Sequence, residues 1–283
     1  MLRTIEELRA LDAPTRQALV HHAMQLSTLW YQWKLQHDGA FTITVKHETS
    51  RERKTGVHAS ELHGCLRKLV YAVRGEPRQS GNRDVNMQRR FDIGTMTHEL
   101  IQHEFKEMCA WLRQYGTELY FDAEVPIHPG LGGVAQGYHM YSSCDGVFTF
   151  CTQGAPYLRV GLEIKTSSYL EFDKLTKPKE DHAWQTCMYQ RALDLPYMWV
   201  LYYNKSNSNT TPSEAPWLFQ FNEPLWSGTI EPRIMSAYQM ASAGQLPARE
   251  EGRPCGWCAW AWTCNPNCMR NKEAQGGSAA REF

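Results

Sequence analysis

The chain has 283 residues, 42% hydrophobic and 21% charged, with 30 basic and 30 acidic residues and a formal net charge of zero. That length suits one large domain or two modest ones, and the composition is that of a soluble globular protein. Neutrality excludes a cationic nucleic-acid binder of the whole-chain kind while permitting a local basic groove. No window approaches the ~18 apolar residues of a membrane span. The N-terminal MLRTIEELRALDAPTRQ lacks a signal-peptide pattern, so the cytoplasm is the expected compartment.

In chain order, residues 4–36 read as helix, with Thr4 and Glu7 in a capping-box pattern and Pro14 dividing the segment. Residues 42–58 form a polar, basic connection. Ser60 is placed to cap a helix through ELHGCLRKLVYAVRG that stops at Gly75. EPRQSGNRD reads as loop, and a longer helix is predicted from about Gly94 to Tyr115, ended by Gly116. The period then changes. TELYFDAEVPI, YHMYSSCDGVFTF and YLRVGLEIKTSS read as strands, KEDHAWQTCMYQRALD as helix, and PYMWVLYYN as a buried strand. A polar loop, KSNSNTTPSEAP, leads to a short strand, WLFQF, and to helix over 224–245. There is no internal repeat.

The expected architecture is α/β: a mixed central sheet flanked by helices, with a helical N-terminal wrapper. The predicted units are an N-terminal helical extension (1–56), a core with a helical insertion (57–250), a cysteine-rich segment (251–270) and a disordered tail (271–283).

Two positions in the third strand raise a chemical question. Glu163 and Lys165 in RVGLEIKTSS lie two apart, so they project from one face, with Ile164 opposite. Burying a lone carboxylate is costly unless it is paired or binds a metal. A hairpin folded about Gly154 sets Asp145 across from Glu163, and Asp145 is the only acid in residues 125–162. Adjacent carboxylates repel unless a cation lies between them; a hard divalent ion, Mg²⁺ or Mn²⁺, suits oxygen ligands. For this strand alone, the alternative is a salt bridge from Lys165 to either acid on a solvated face.

Nine cysteines without a signal peptide do not suggest a disulfide scaffold. Cys255, Cys258, Cys264 and Cys268 fall within fourteen residues, a crowding that points to metal.

Asp145 in CDG, Glu163 and Lys165 in EIK, Gln185 and Tyr189 in QTCMY, and His98 upstream in GTMTHEL together resemble the PD-(D/E)XK nuclease superfamily, more narrowly its RecB-like exonucleases. HASELHGCLRKLVY and PCGWCAWAWTC are similar to segments of its four-cysteine members, the CRISPR-associated and AddB-type nucleases. The resemblance covers about residues 57–268 and implies a restriction-endonuclease-like fold. It implies hydrolysis of DNA phosphodiesters, on single strands or ends, with Asp145, Glu163, the Ile164 carbonyl and His98 holding Mg²⁺ or Mn²⁺. Lys165 would orient the attacking water and stabilise the oxyanion, its ammonium losing its proton more readily beside a metal cation. Gln185 and Tyr189 would position Lys165 or the DNA.

The resemblance further implies a [4Fe–4S] cluster on Cys65, Cys255, Cys258 and Cys264, and DNA-processing protein partners. Cys268 leaves open a zinc site with Cys255, Cys258 and Cys264, in which Cys65 is a buried thiol. A non-catalytic DNA-end-binding or adaptor subunit that keeps the fold is the alternative function. Cys109, Cys144, Cys151 and Cys187 are expected in the core. Glu99 and Glu104 are expected as solvated helix charges, and His103 competes with His98. Arg51, Arg53, Lys54, Arg67 and Lys68 are phosphate-contact candidates or solvated. Trp184 and Trp257 are placed in the core rather than stacked on bases.

Overall fold

The computed structural model describes residues 5–37, 53–78, 85–204, 217–250 and 258–264. The predicted cap at Thr4, Arg51, Trp257, Cys255, Cys268, the loop over 205–216 and the C-terminal tail lie outside the described residues. Pro14 divides the N-terminal helix as expected, into α1 (Ile5–Arg9) and α2 (Ala13–Gln36). Asp12 caps α2 by accepting the Thr15 N–H at 2.8 Å. Pro14 stands in its first turn, where the missing N–H costs nothing. Helical spacing then buries Leu19, Ala23, Leu26, Trp30 and Trp33 on one face.

A 3₁₀ turn (Ala59–Glu61) takes up the predicted Ser60 cap. Helix α3 (Leu66–Arg74) starts only after Cys65, its N-cap residue, and stops at Gly75 in the left-handed conformation, φ 69°. Helix α4 runs over Val85–Gln114, nine residues earlier than expected at its start. Gly94 lies inside it; a Cβ there would make an ordinary van der Waals contact with Thr166 Oγ1 at 3.5 Å.

Strand β1 (Leu119–Ile127) is followed by a 3₁₀ turn (Pro129–Leu131) and a short helix, α5 (Gly133–Gly137), in a stretch with no predicted element. Strand β2 (Ser142–Thr152) begins four residues later than expected, and β3 covers Ala155–Ser167. A single turn, α6 (Tyr169–Phe172), and helix α7 (Glu180–Leu193) lead to β4 (Tyr197–Asn204) and β5 (Trp217–Gln220). The next helical segment is continuous: α8 (Glu223–Leu225), a π turn (Trp226–Ile230) and α9 (Glu231–Ser242). Pro232 in the first turn of α9 has no N–H to give, which suits a wider turn before it. A last turn, α10, spans Ala261–Cys264.

The sheet order is β1-β2-β3-β4-β5. All pairs are antiparallel except β3–β4, which is parallel and joined by the α6–α7 crossover. This mixed five-stranded sheet flanked by helices is the expected α/β class and is consistent with a restriction-endonuclease-like core. One apolar cluster joins α2 and α4 to the sheet, taking Leu158, Val160, Leu162 and Ile164 of β3. A second cluster gathers residues of α3, α7 and α9. Glu163 and Lys165, alternating with the first set, therefore lie on the α7 side.

The β2–β3 hairpin turns on Gln153 and Gly154, both with positive φ, the signature of a two-residue type I′ turn. A bulge between Phe150 and Cys151 shifts the register by one. Beyond it, pairs run from Phe150↔Leu158 to Gly146↔Leu162, the register expected from folding about Gly154.

Candidate active site

The β2–β3 ladder ends at Gly146↔Leu162, and the next residue turns its side chain to the task. Asp145 Oδ2 accepts the Ile164 N–H at 2.6 Å, so a carboxylate replaces the backbone acceptor where the strands part. A Cβ on Gly146 would fall 2.3 Å from the Phe121 ring, which leaves glycine as the residue that fits beside Asp145. Glu163 is 3% exposed. Its Oε1 lies 2.6 Å from Lys165 Nζ and accepts from Gln185 Nε2 at 2.8 Å. Lys165 Nζ also donates to Gln185 Oε1 at 2.8 Å, and Gln185 Nε2 donates to the Tyr189 hydroxyl at 2.7 Å. Gln185 and Tyr189 reach the same spot because they are four apart on α7. His98 of α4 closes the other side, its Nδ1 3.5 Å from Asp145 Oδ1. The structure thus brings His98, Asp145, Glu163, Lys165, Gln185 and Tyr189 together around the β3 backbone at Ile164.

Burial and the neighbouring Asp145 charge push the Glu163 carboxyl up to about 7, against the pull of Lys165. Burial alone would lower Lys165, but Glu163 and Asp145 outweigh it and hold its ammonium above the usual lysine value. Facing these two acids alone, Lys165 therefore keeps its proton. His98 behaves in the same way: burial lowers it, and the hydrogen bond and charge of Asp145 raise it further. Tyr189 is raised well above the phenol value by burial and by Glu163.

Among the described residues, no three His, Cys, Asp or Glu side chains converge closely enough to hold a metal ion as they stand. The donor set nonetheless fits a hard cation on one observation. Glu163 Oε2 is buried and has no hydrogen-bond partner, although a buried carboxylate oxygen ordinarily requires one.

Two contributors escape sequence reading. Gln102, one turn after His98 on α4, donates to the Asp145 carbonyl at 2.8 Å and to Glu124 Oε1 at 2.9 Å. Glu124, at φ 52° within β1, also accepts from Ser143 Oγ at 2.8 Å. The four-residue spacing of His98 and Gln102 was the available signal. Glu104 is not the solvated charge expected. It is buried and accepts from Trp30 Nε1 at 3.0 Å and Lys34 Nζ at 2.9 Å, tying α2 to α4.

The basic candidates split. Arg53 and Lys68 face buried Glu61, Arg67 donates to the Pro247 carbonyl at 2.8 Å, and Lys54 lies over the Tyr141 ring. Trp184 is buried, as expected, with its ring edge-on to His63.

Residues 258–264 dock on α3. Trp260 is buried, stacks on Tyr71 and donates from Nε1 to the Glu76 carbonyl at 3.0 Å, with Arg78 over its ring at 4.5 Å. Cys258 and Cys264 are half-buried against this platform, and Arg67 Nη1 lies 3.6 Å from Cys264 Sγ. Cys65 stands at the N-cap of the same helix. Cys109, Cys144 and Cys187 are core residues as expected, whereas Cys151 is half-buried beside the hairpin bulge.

No protein-family model matches the chain, and no curated protein matches it. Solved structures resemble it at low identity. The protein SSO0001 is 14% identical over 84% of this chain and 94% of its own, with a TM-score of 0.41. LHK-Exo in complex with dAMP is 14% identical over 67% of this chain and 89% of its own, also at 0.41. LHK-Exo, an alkaline exonuclease from Laribacter hongkongensis, in a second structure gives 13% over the same shares, at 0.36. At these identities and TM-scores the likeness bears on neither activity nor substrate.

Proposed function

We propose that the chain is a metal-dependent deoxyribonuclease that hydrolyses phosphodiester bonds as an exonuclease on single-stranded DNA or DNA ends. The observation that carries this reading is the unpartnered Glu163 Oε2 inside an otherwise bonded acid–lysine cluster. Asp145, Glu163, the Ile164 carbonyl and His98 are the groups that would hold Mg²⁺ or Mn²⁺. When bound, such an ion supplies Lewis-acid activation of water and neutralises charge on the phosphate.

The protein's own contribution lies in Lys165. Its ammonium has three N–H groups; Glu163 and Gln185 take two, and the third is left to orient the attacking water or to meet charge building on a phosphate oxygen. Gln185, bonded to Lys165, Glu163 and Tyr189 at once, holds that donor in place. End-labelled single-stranded DNA should be degraded with Mg²⁺ or Mn²⁺ and not with EDTA. Glu163→Ala and Lys165→Ala should each lower the rate by about a hundredfold or more. Near wild-type cleavage by both variants removes the site. No cleavage by the wild type under either metal leaves the DNA-end-binding or adaptor subunit.

The docking of residues 258–264 on the helix that Cys65 opens supports a [4Fe–4S] cluster on Cys65, Cys255, Cys258 and Cys264. Anaerobically purified protein should carry about four irons per chain, lost in Cys65→Ala and retained in Cys268→Ala. One zinc per chain, lost in Cys268→Ala instead, would establish the compact C-terminal site.

A further inference from the structure

Tyr202 of β4 pairs with Lys165 in the parallel β3–β4 register, so both side chains lie on the α7 face. Its ring is buried and is held edge-on by Trp217 of β5, centroids 4.9 Å apart. Its hydroxyl meets the start of α7 twice. It accepts the backbone N–H of Lys179 at 3.1 Å and lies 2.6 Å from His182 Nδ1. Lys179 is the N-cap residue of α7 and makes no side-chain cap bond. The first turn of the helix is therefore held by the neighbouring strand as well as by Asp181, which accepts the His182 N–H at 3.0 Å.

That anchor bears on the site through distance along α7. His182 is three residues before Gln185, one turn of the same helix. Gln185 joins Lys165, Glu163 and Tyr189, so a small slide of α7 over the sheet would break these bonds together. The groups facing His182 are Lys165 from β3, Tyr202 from β4, and Asp181 and Lys179 beside it on α7. Burial, then the charge of Lys165, lowers the imidazole to about 4, so at neutral pH it is uncharged and free to accept from the phenol at Nδ1.

We propose that Tyr202 is a positioning residue of this site: its hydroxyl, bonded to His182 and to the α7 N-terminus, sets Gln185 against Lys165 and Glu163. The proposal rests on the nuclease reading for its kinetic consequence only.

Tyr202→Phe in the full chain removes one oxygen and keeps the ring. Its kcat on a defined single-stranded oligonucleotide should fall about tenfold or more, with KM little changed. In ¹⁵N spectra, the His182 Nδ1 signal, assigned by His182→Gln, should shift in Tyr202→Phe as its hydrogen bond is lost. The Gln185 side-chain amide signals should shift as well. His182→Gln, whose side-chain carbonyl can still accept from the phenol, should retain more activity than His182→Ala. Tyr203→Phe, on the opposite sheet face, serves as the control and should change none of these. Unchanged kcat in Tyr202→Phe, or unmoved His182 and Gln185 signals, overturns the proposal. If the wild type itself cleaves nothing, the nuclease reading fails, and the two sets of ¹⁵N signals still decide whether Tyr202 holds Gln185.

Discussion

Glu61 and Glu163 are buried to the same degree, 2% and 3% exposed, but the chain treats them in opposite ways. Glu61 is surrounded by cations. Arg53 donates to its Oε1 and Arg78 to its Oε2, each at 3.0 Å, with Lys68 at 3.8 Å. Burial would raise its carboxyl, yet Arg78, Lys68 and Arg53 together hold it below the usual glutamate value. Glu163 bonds one cation, Lys165, and feels His98 more weakly, with a second carboxylate beside it and an oxygen without a partner. A buried charge that serves the fold is closed by the chain's own residues. Glu163 is closed less completely, with one of its oxygens unbonded.

The sharpest way to break this contrast is to neutralise each acid in turn. Glu61→Gln leaves three cations around a neutral amide. Removing one member of a buried ion cluster costs about 3–5 kcal/mol, and the low end applies because these cations reach solvent. Glu163→Gln relieves the repulsion with Asp145 while withdrawing the main charge that holds Lys165, so the metal-free protein should lose less stability than it does in Glu61→Gln. Chemical denaturation of the two variants in EDTA measures both, and an equal loss would show that Glu163 is an ordinary structural charge.

How far each acid could be foreseen follows from where its partners lie. Glu163 was legible because strand alternation, one turn at Gly154 and a single nearby acid were enough to set Asp145 across from it; that the Asp145 carboxylate takes the Ile164 N–H, one residue on, is visible only in the structure. The bulge at Phe150/Cys151 was not visible, but it restored the expected register rather than upsetting it. Glu61 was illegible: it lies in a stretch that reads as a helix start, and although Lys68 follows at a helical spacing, Arg53 and Arg78 lie outside the predicted helix. Glu104 was misread for the same reason, since Trp30 and Lys34 come from a helix some seventy residues earlier. Gln102 lay on the face already marked by His98, and its link to the Asp145 carbonyl needed only the position of α4 over the sheet. Local patterns reveal strand chemistry; contacts between distant helices need the fold.

Divalent ions sharpen the comparison further. An ion that binds the native state and not the unfolded chain stabilises it by about 2.7 kcal/mol at a hundred times its Kd. Mg²⁺ or Mn²⁺ should therefore raise the melting temperature of the wild type and of Glu61→Gln by similar amounts, and that of Glu163→Gln by little. Scanning calorimetry with and without the ion reads this directly, independent of any nuclease assay. An equal rise in all three proteins would place the ion elsewhere.

The smallest effect, and the most specific, is in the pH dependence of the metal-free protein. Glu163 titrates at 4.5 in the unfolded chain and at about 7 in the folded one. Between these values the native state binds more protons than the unfolded state, so its stability falls as pH rises, and the cost is complete above about 7. Glu61 has the opposite sign. Its folded pKa is lowered from 4.5, so its contribution is present above 4.5 and is lost as pH falls through the folded value. His98, raised from 6.5 despite its burial, adds stability that is present below 6.5 and lost as pH rises further. That overlaps the upper end of the Glu163 window, so the test is a difference between variants rather than a single profile. Melting temperatures of the wild type, Glu163→Gln and Glu61→Gln in EDTA, from about pH 4 to pH 8, separate the two acids. The wild type should lose a few degrees relative to Glu163→Gln as pH rises from 4.5 to 7, and its advantage over Glu61→Gln should shrink only on the acid side. Parallel curves for the wild type and Glu163→Gln would mean that this carboxyl is not held protonated by its surroundings, and the contrast between the two buried acids would fall with it.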